Sequence, residues 1–105
     1  MRVLFVCSAN LDRSPTAEAV FGALPGVEAR SAGTLANAVR PLDAEIVAWA
    51  DAIFAMEAKH AAALQERFGD LLLEKAPVVL DVPDVYRRGD PALVDLLRRK
   101  LDGRL

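Results

Sequence analysis

Apolar residues fall into four short runs that predict β-strands. Residues 3–6 are apolar without alternation and rich in β-branched and aromatic types, which is typical of a strand buried on both faces of a parallel sheet. Residues 52–56 predict a second buried strand. Residues 27–32 alternate between apolar and polar, as in a shorter, partly exposed strand that Gly33 ends. Residues 78–80 are predicted to form the last strand.

Between these runs, apolar residues recur at helical spacing and predict four helices. The predicted ranges are 15–24, 41–49, 57–68 and 91–101. Ser14 and Asp90 precede the first and last of these ranges as N-cap residues, each followed by a proline that is tolerated in a first helical turn. The third range carries the only histidine, His60, which is predicted to lie on the surface.

Alternating strands and helices predict an α/β fold. We expect one domain, residues 1–105, with three layers: a four-stranded, mostly parallel sheet covered by helices on both faces. In such sheets, binding sites form at the carboxyl ends of the strands. The loop after the first strand and the loop of residues 81–89 after the last strand should therefore lie at the same edge.

The first of these loops has the plan of an anion site that contains a nucleophile. The strand ends in Cys7, and Arg13 lies beside the start of the following helix. A helix N-terminus offers unpaired backbone N–H groups and a positive dipole end, which also favours a thiolate. Arg13 can bind two oxygens of an oxyanion, and Ser14 can donate its hydroxyl to the thiolate. The predicted phosphate or sulfate cradle comprises Ser8, Ala9, Asn10, Leu11 and Asp12.

A lone cysteine at a strand end is more often a small buried apolar residue. The arginine six positions later, at a helix start and without a glycine-lysine phosphate-loop pattern, favours the catalytic interpretation instead. One cysteine and one histidine exclude an internal disulfide and a structural zinc site, so no metal or cofactor is expected.

Charge and the length of the apolar runs argue against two classes of partner, nucleic acids and membranes. The net charge of −2 argues against a nucleic-acid partner, and no apolar run approaches the ~20 residues that a membrane helix needs. The first residues are too short an apolar run for a signal peptide, which predicts a cytoplasmic location.

Residues 3–18 resemble the signature of the low-molecular-weight protein tyrosine phosphatases, and most closely a short bacterial branch of predicted phosphatases in that superfamily. Residues 30–34, Arg-Ser-Ala-Gly-Thr, are similar to a strand end of the family, and residues 54–57, Phe-Ala-Met-Glu, to its strand-Met-Asp segment. Asp84-Val85-Tyr86 resembles its Asp-Pro-Tyr loop, with Val85 in place of proline. Asp12 stands where the family often has a second cysteine.

The resemblance implies a mechanism. Cys7 would form a phosphocysteine intermediate, Arg13 would hold the phosphoryl group, and Asp84 would act as general acid and base. Asp81 remains an alternative for the acid. The supporting residues implied by the family are Asn10, Ser14 and Ser31, with Tyr86 and Leu11 at the mouth of the substrate pocket.

The expected function is that of a cysteine-dependent phosphomonoester hydrolase acting on phosphotyrosine in proteins or on small aryl phosphomonoesters. Three alternative functions remain open. A catalytically silent phosphate-binding or signalling module would bind phosphate without turnover. An arsenate reductase would need further cysteines or an external thiol, and a phosphocarrier domain would keep a stable phosphocysteine but leave Arg13 unexplained.

Overall fold

A four-stranded parallel sheet forms the centre of the protein in the computed structural model, which describes all 105 residues. The strands are β1 (Arg2–Cys7), β2 (Glu28–Gly33), β3 (Ala52–Ala55) and β4 (Val78–Val79). Their order across the sheet is β2-β1-β3-β4, and every neighbouring pair is parallel. The strand that carries Cys7 therefore has a hydrogen-bonded neighbour on each side.

Helices cover both faces of the sheet, which confirms the predicted three-layer α/β fold. They are α1 (Arg13–Phe21), α2 (Ala44–Trp49), α3 (Ala58–Phe68) and α4 (Pro91–Leu101), with a short 3-10 helix at Gly69–Leu71. One apolar layer joins the sheet to α1 and α4, and the other joins it to α2 and α3. No helix is both long and apolar enough to cross a membrane.

Strand β1 supplies side chains to both layers. Val3 and Phe5 are fully buried in the layer of α1 and α4, whereas Leu4 and Val6 are fully buried in the opposite layer. Burial of each such side chain stabilises the fold by roughly 1.5–3 kcal/mol relative to exposure. This two-sided burial explains why the strand is apolar without alternation.

Helix α1 differs from its predicted range at both ends. It begins at Arg13, and the side chain of Ser14 contacts Cys7 instead of capping the helix. It ends at Phe21, because Gly22 follows and two tight turns then lead the chain back toward β2. Leu24, predicted to lie on the inner face, is consequently 41% exposed. The predicted cap of α4 is confirmed, since Asp90 Oδ1 accepts a hydrogen bond from the backbone N–H of Ala92 at 2.9 Å.

The segment after β4 continues along the edge of the sheet. The backbone N–H of Leu80 donates to Ala55 O at 2.9 Å, and that of Val82 donates to Met56 O at 2.8 Å. Both side chains are buried. The loop that contains Asp84 is thereby held at the carboxyl end of the sheet, where the loop after β1 also lies.

Candidate active site

The loop that follows Cys7 directs its carbonyl groups outward. Three consecutive carbonyl oxygens accept hydrogen bonds from the segment 34–39: Cys7 O from Thr34, Ser8 O from Leu35 and Ala9 O from Val39, at 2.9, 3.1 and 3.1 Å. None of the backbone N–H groups from Ser8 to Ser14 donates a hydrogen bond to a protein acceptor. Seven successive amides are therefore available to an anion beside the thiol, together with the N-terminus of α1.

Two backbone positions allow this loop to close tightly. A Cβ atom on Gly33 would lie 2.4 Å from Ser8 O and 2.6 Å from the Cβ of Ala38, so only glycine fits between the loop and its support. Asn10 has a φ of 57°, in the left-handed region that asparagine tolerates better than most residues. The loop thus depends on Gly33, where the neighbouring strand approaches it, and on Asn10 at its bend.

A buried chain of hydrogen bonds sets the direction of each proton around Cys7. Asn10 Nδ2 donates to Ser14 Oγ at 2.8 Å and to Ser31 Oγ at 2.9 Å. Ser31 Oγ in turn donates to Glu18 Oε1 at 2.7 Å. Because Ser14 Oγ already accepts from Asn10, its own proton is free for Cys7 Sγ, which lies 2.9 Å away. The network therefore provides a donor to the sulfur, as a thiolate requires.

Glu18 was not identified as a site residue from the sequence. It lies four residues after Ser14 on the same face of α1, so the helical spacing was a usable signal. An ionised carboxylate can only accept hydrogen bonds, so Ser31 must donate to Glu18, and this fixes the direction of the whole chain of hydrogen bonds.

Arg13 is 2% exposed and is held by three oxygen atoms. Its Nη1 donates to Glu57 Oε2 at 2.5 Å and to Val82 O at 2.9 Å, and its Nε lies 3.6 Å from Asp84 Oδ1. The hydrogen bond from Arg13 is the main cause that lowers the pKa of Glu57, against the opposing effect of desolvation. A buried guanidinium needs such an anionic partner, and Glu57 fixes its orientation toward the loop.

A small cavity of about 100 Å³ joins most of the predicted site residues. Its lining residues are Cys7, Ser8, Ala9, Leu11, Asp12, Arg13 and Asp84. The largest surface depression, about 590 Å³, contains none of them. The cavity at Cys7 suits an oxyanion, and the rest of any substrate must lie outside it.

The two candidate acids occupy different positions. Asp84 lines the cavity with Cys7 and is 63% exposed at the side chain. Asp81, which has a φ of 55°, instead lines a separate depression with Pro83. Tyr86, expected at the mouth of the pocket, is not among the lining residues, because its ring packs partly buried against the apolar layer of α1 and α4.

Asp12 connects the loop of residues 8–12 after Cys7, called the anion loop below, to the loop that carries Asp84. Its Oδ1 accepts a hydrogen bond from the backbone N–H of Arg88 at 2.9 Å. Thr16 Oγ1 donates to Asp12 O at 2.7 Å and accepts from the backbone N–H of Gly89 at 2.9 Å. Asp12 thus lines the cavity, and one of its carboxylate oxygens is occupied by the hydrogen bond from Arg88.

The prediction that His60 lies on the surface is wrong, since its side chain is fully buried in the first turn of α3. Its Nε2 lies 2.8 Å from Ser8 Oγ, and its Nδ1 accepts the backbone N–H of Glu57 at 3.0 Å. Burial, followed by the positive charge of Arg13, lowers the pKa of His60 to about 4. No group of three or more His, Cys, Asp or Glu side chains is arranged to hold a metal ion.

Comparison with known proteins gives three kinds of result. Residues 2–48 match the family model of the low molecular weight phosphotyrosine protein phosphatases, and no curated protein matches the chain. Among solved structures, the YwlE arginine phosphatase from Geobacillus stearothermophilus is 27% identical, over 96% of this chain and 83% of that one, with a TM-score of 0.65. A low molecular weight protein tyrosine phosphatase from Bacillus subtilis is 26% identical, over 97% of each chain, with a TM-score of 0.67. The tyrosine phosphatase Wzb from Escherichia coli, in complex with phosphate, is 18% identical over 96% of this chain and 93% of that one, and shares the fold with a TM-score of 0.79.

The fold and the family match, together with the thiol in its anion loop, define a cysteine-based phosphatase. The resemblance found in the sequence is confirmed, since residues 2–48 match the family model and solved low molecular weight protein tyrosine phosphatases share the fold. The chain is accordingly a hydrolase that resembles this family.

Proposed function

We propose that this enzyme hydrolyses aryl phosphomonoesters, with phosphotyrosine as the substrate group, through a phosphocysteine on Cys7. The observation that carries the proposal is the run of seven free backbone amides, Ser8 to Ser14, around a thiol that receives a hydrogen bond from Ser14. Such amides stabilise the charge that builds up on the equatorial oxygens during phosphoryl transfer.

In the first step, Cys7 Sγ attacks phosphorus and the bond from phosphorus to the ester oxygen breaks. The electron pair of that bond goes to the leaving oxygen, which takes a proton from the Asp84 carboxyl group. Arg13 belongs to the same cavity, and its fork of donors suits two oxygens of the transferred group. The products are the free alcohol or phenol and a phosphocysteine.

In the second step, water attacks phosphorus and the phosphorus–sulfur bond breaks. Asp84, now ionised, takes a proton from the water, and the thiolate leaves with the electron pair. Ser14 donates to the sulfur in both steps, which makes it a better leaving group and keeps it ionised afterwards. Inorganic phosphate is the second product.

The cavity supports an aryl substrate. It has room for the phosphoryl group, and Leu11 on its wall is 56% exposed, so an aromatic ring outside the cavity can cover apolar surface there. Phosphoarginine is a second candidate, because the carboxylates of Asp12 and Asp84 also line the cavity and can face a guanidinium. Solved relatives of similar identity include an arginine phosphatase and a tyrosine phosphatase.

Turnover of an aryl phosphate tests the proposal directly. The wild type should release phosphate between about pH 5 and 7, and rapid acid quenching should reveal a phosphorylated Cys7 by mass spectrometry. Cys7→Ser should abolish turnover while phosphate still binds. Arg13→Lys should lose most activity, because lysine cannot bind two oxygens in a fork. Tight phosphate binding by the wild type without turnover would favour the silent phosphate-binding module instead.

A leaving-group series separates the two candidate acids. Asp84→Ala should slow substrates with a poor leaving group far more than substrates with an activated phenol, because only the former need a proton. Asp81→Ala is the matched control and should leave both rates close to wild type. Equal losses in the two variants would contradict the assignment of Asp84.

A competition between a phosphotyrosine peptide and a phosphoarginine peptide of the same sequence decides the substrate class. The proposal expects the larger kcat/KM for phosphotyrosine. A preference for phosphoarginine would replace it with the second candidate. The first step would then break a phosphorus–nitrogen bond, with the proton from Asp84 going to the leaving nitrogen, while the phosphocysteine and its hydrolysis would stay the same.

A further inference from the structure

His60 is a fully buried titratable side chain for which the proposed reaction has no role. It lies in the first turn of α3, next to Glu57, the residue that holds Arg13. Both of its ring nitrogens have polar partners, one at the N-cap of its own helix and one in the anion loop. The imidazole therefore connects the support of Arg13 to the loop beside Cys7.

The two hydrogen bonds determine the tautomer of the ring. A backbone N–H can only donate, so Nδ1 must accept from Glu57 and cannot carry a proton. In a neutral imidazole the proton is then on Nε2, which donates to Ser8 Oγ at 2.8 Å. Burial and the nearby positive charges of Arg13 and Lys59 favour this neutral form, against the opposing charges of Glu57 and Asp84.

This donation constrains Ser8. Because Ser8 Oγ accepts from His60, its own hydroxyl proton is left for another acceptor. Ser8 lines the cavity with Cys7, where the oxygens of a bound phosphoryl group are the acceptors that the proposed function supplies. Here we propose that His60 is a positioning residue, which orients the Ser8 hydroxyl so that it donates to a phosphoryl oxygen. This inference rests on the proposed function, since it concerns the same site.

Two substitutions of His60 separate positioning from packing. His60→Gln keeps both hydrogen bonds of the ring. Glutamine at the third position of a helix accepts from the N–H of the cap residue through Oε1, and its amide Nε2 can donate to Ser8. His60→Asn is one methylene shorter: its Oδ1 can accept from the cap, but its amide falls short of Ser8. Ser8→Ala removes the hydroxyl itself, without altering α3.

The measurements are the affinity for inorganic phosphate, by calorimetry, and kcat/KM for an aryl phosphate. His60→Asn and Ser8→Ala should each lower both values by about two- to tenfold, the range for one hydrogen bond. His60→Gln should stay close to wild type. The double variant, which combines His60→Asn with Ser8→Ala, should have the same phosphate affinity and kcat/KM as Ser8→Ala alone. Without the Ser8 hydroxyl there is no group left for residue 60 to orient. Urea unfolding of each variant verifies that the compared proteins are folded.

Two results would overturn the proposal and leave His60 a packing residue. One is a loss of affinity in the double variant equal to the product of the two single losses, and the other is an equal loss in His60→Gln and His60→Asn. A wild type that binds phosphate but shows no turnover would refute the proposed function, while the same pattern of phosphate affinities would still support the role of His60. A wild type that binds no phosphate would refute both.

Discussion

The free energy of unfolding should fall by about 2 kcal/mol between pH 7 and pH 5, because one buried histidine resists protonation. The ordinary pKa of 6.5 applies to His60 in the unfolded chain, whereas its pKa in the folded protein is lowered to about 4. Below pH 6.5 the unfolded chain therefore binds a proton that the folded protein does not, and stability decreases as the pH falls. The full difference corresponds to about 3 kcal/mol, and most of it develops before pH 5.

This pH window isolates His60. The chain has a single histidine, and ordinary carboxyl groups titrate mainly below pH 5. The pKa of Glu57 is lowered by its hydrogen bond to Arg13, so the stability that this pair contributes is lost only as the pH falls below the ordinary value of 4.5. Between pH 7 and 5, the difference in slope between the wild type and a variant without this histidine should thus report one group.

Urea unfolding at constant ionic strength, followed by the fluorescence of Trp49, the only tryptophan, measures the effect. His60→Gln is the matched control, because it keeps the hydrogen bonds and cannot take up a proton in this range. Between pH 7 and 5 this variant should lose about 2 kcal/mol less stability than the wild type. A wild type that loses less than about 0.5 kcal/mol, or a control with the same slope as the wild type, would refute the burial and tautomer assigned to His60.

Two further predictions concern the walls of the anion loop. Gly33→Ala should destabilise the fold by about 1–3 kcal/mol and weaken phosphate binding, because its Cβ would overlap Ser8 O; unfolding midpoints and phosphate titrations check this, and a neutral substitution would contradict it. Asp12→Asn keeps the oxygen that accepts from Arg88 but removes a negative charge from the cavity wall. The inhibition constant of inorganic phosphate should fall by up to roughly fivefold, since a nearby charge that remains in contact with water is worth up to about 1 kcal/mol. Asp12→Ala loses the hydrogen bond as well and should lower turnover, whereas an inhibition constant unchanged in Asp12→Asn would contradict the electrostatic argument.

Local patterns were sufficient to predict the elements of the fold and the position of the anion loop. A short uninterrupted apolar run rich in β-branched and aromatic residues is typical of a strand covered on both faces, and β1 is such a strand. The spacing from Cys7 to Arg13 spans one turn between a strand end and a helix start, so neighbours in sequence are also neighbours in space. The cap at Asp90 was predictable for the same reason.

The boundary of α1 could not be predicted in this way. Ser14 is a good helix cap by residue type, but in the folded protein its hydroxyl lies between Asn10 and Cys7. Its role depends on the bend at Asn10, which in turn depends on the close approach of Gly33 from another strand. Residue type therefore suggested one hydrogen bond, and the tertiary arrangement selected another.

Partners distant in sequence were decided by the fold alone. Helical periodicity indicated α3 but could not reveal that His60, 52 residues from Ser8, lies against the anion loop, or that Glu57 receives Arg13 across 44 residues. Asp12 and Arg88 are 76 residues apart. Such contacts exist because parallel strands bring their carboxyl ends to one edge of the sheet, whatever the separation along the chain. Sequence order determines which elements form and where the thiol lies, whereas the packing of those elements determines which side chains orient the protons around it.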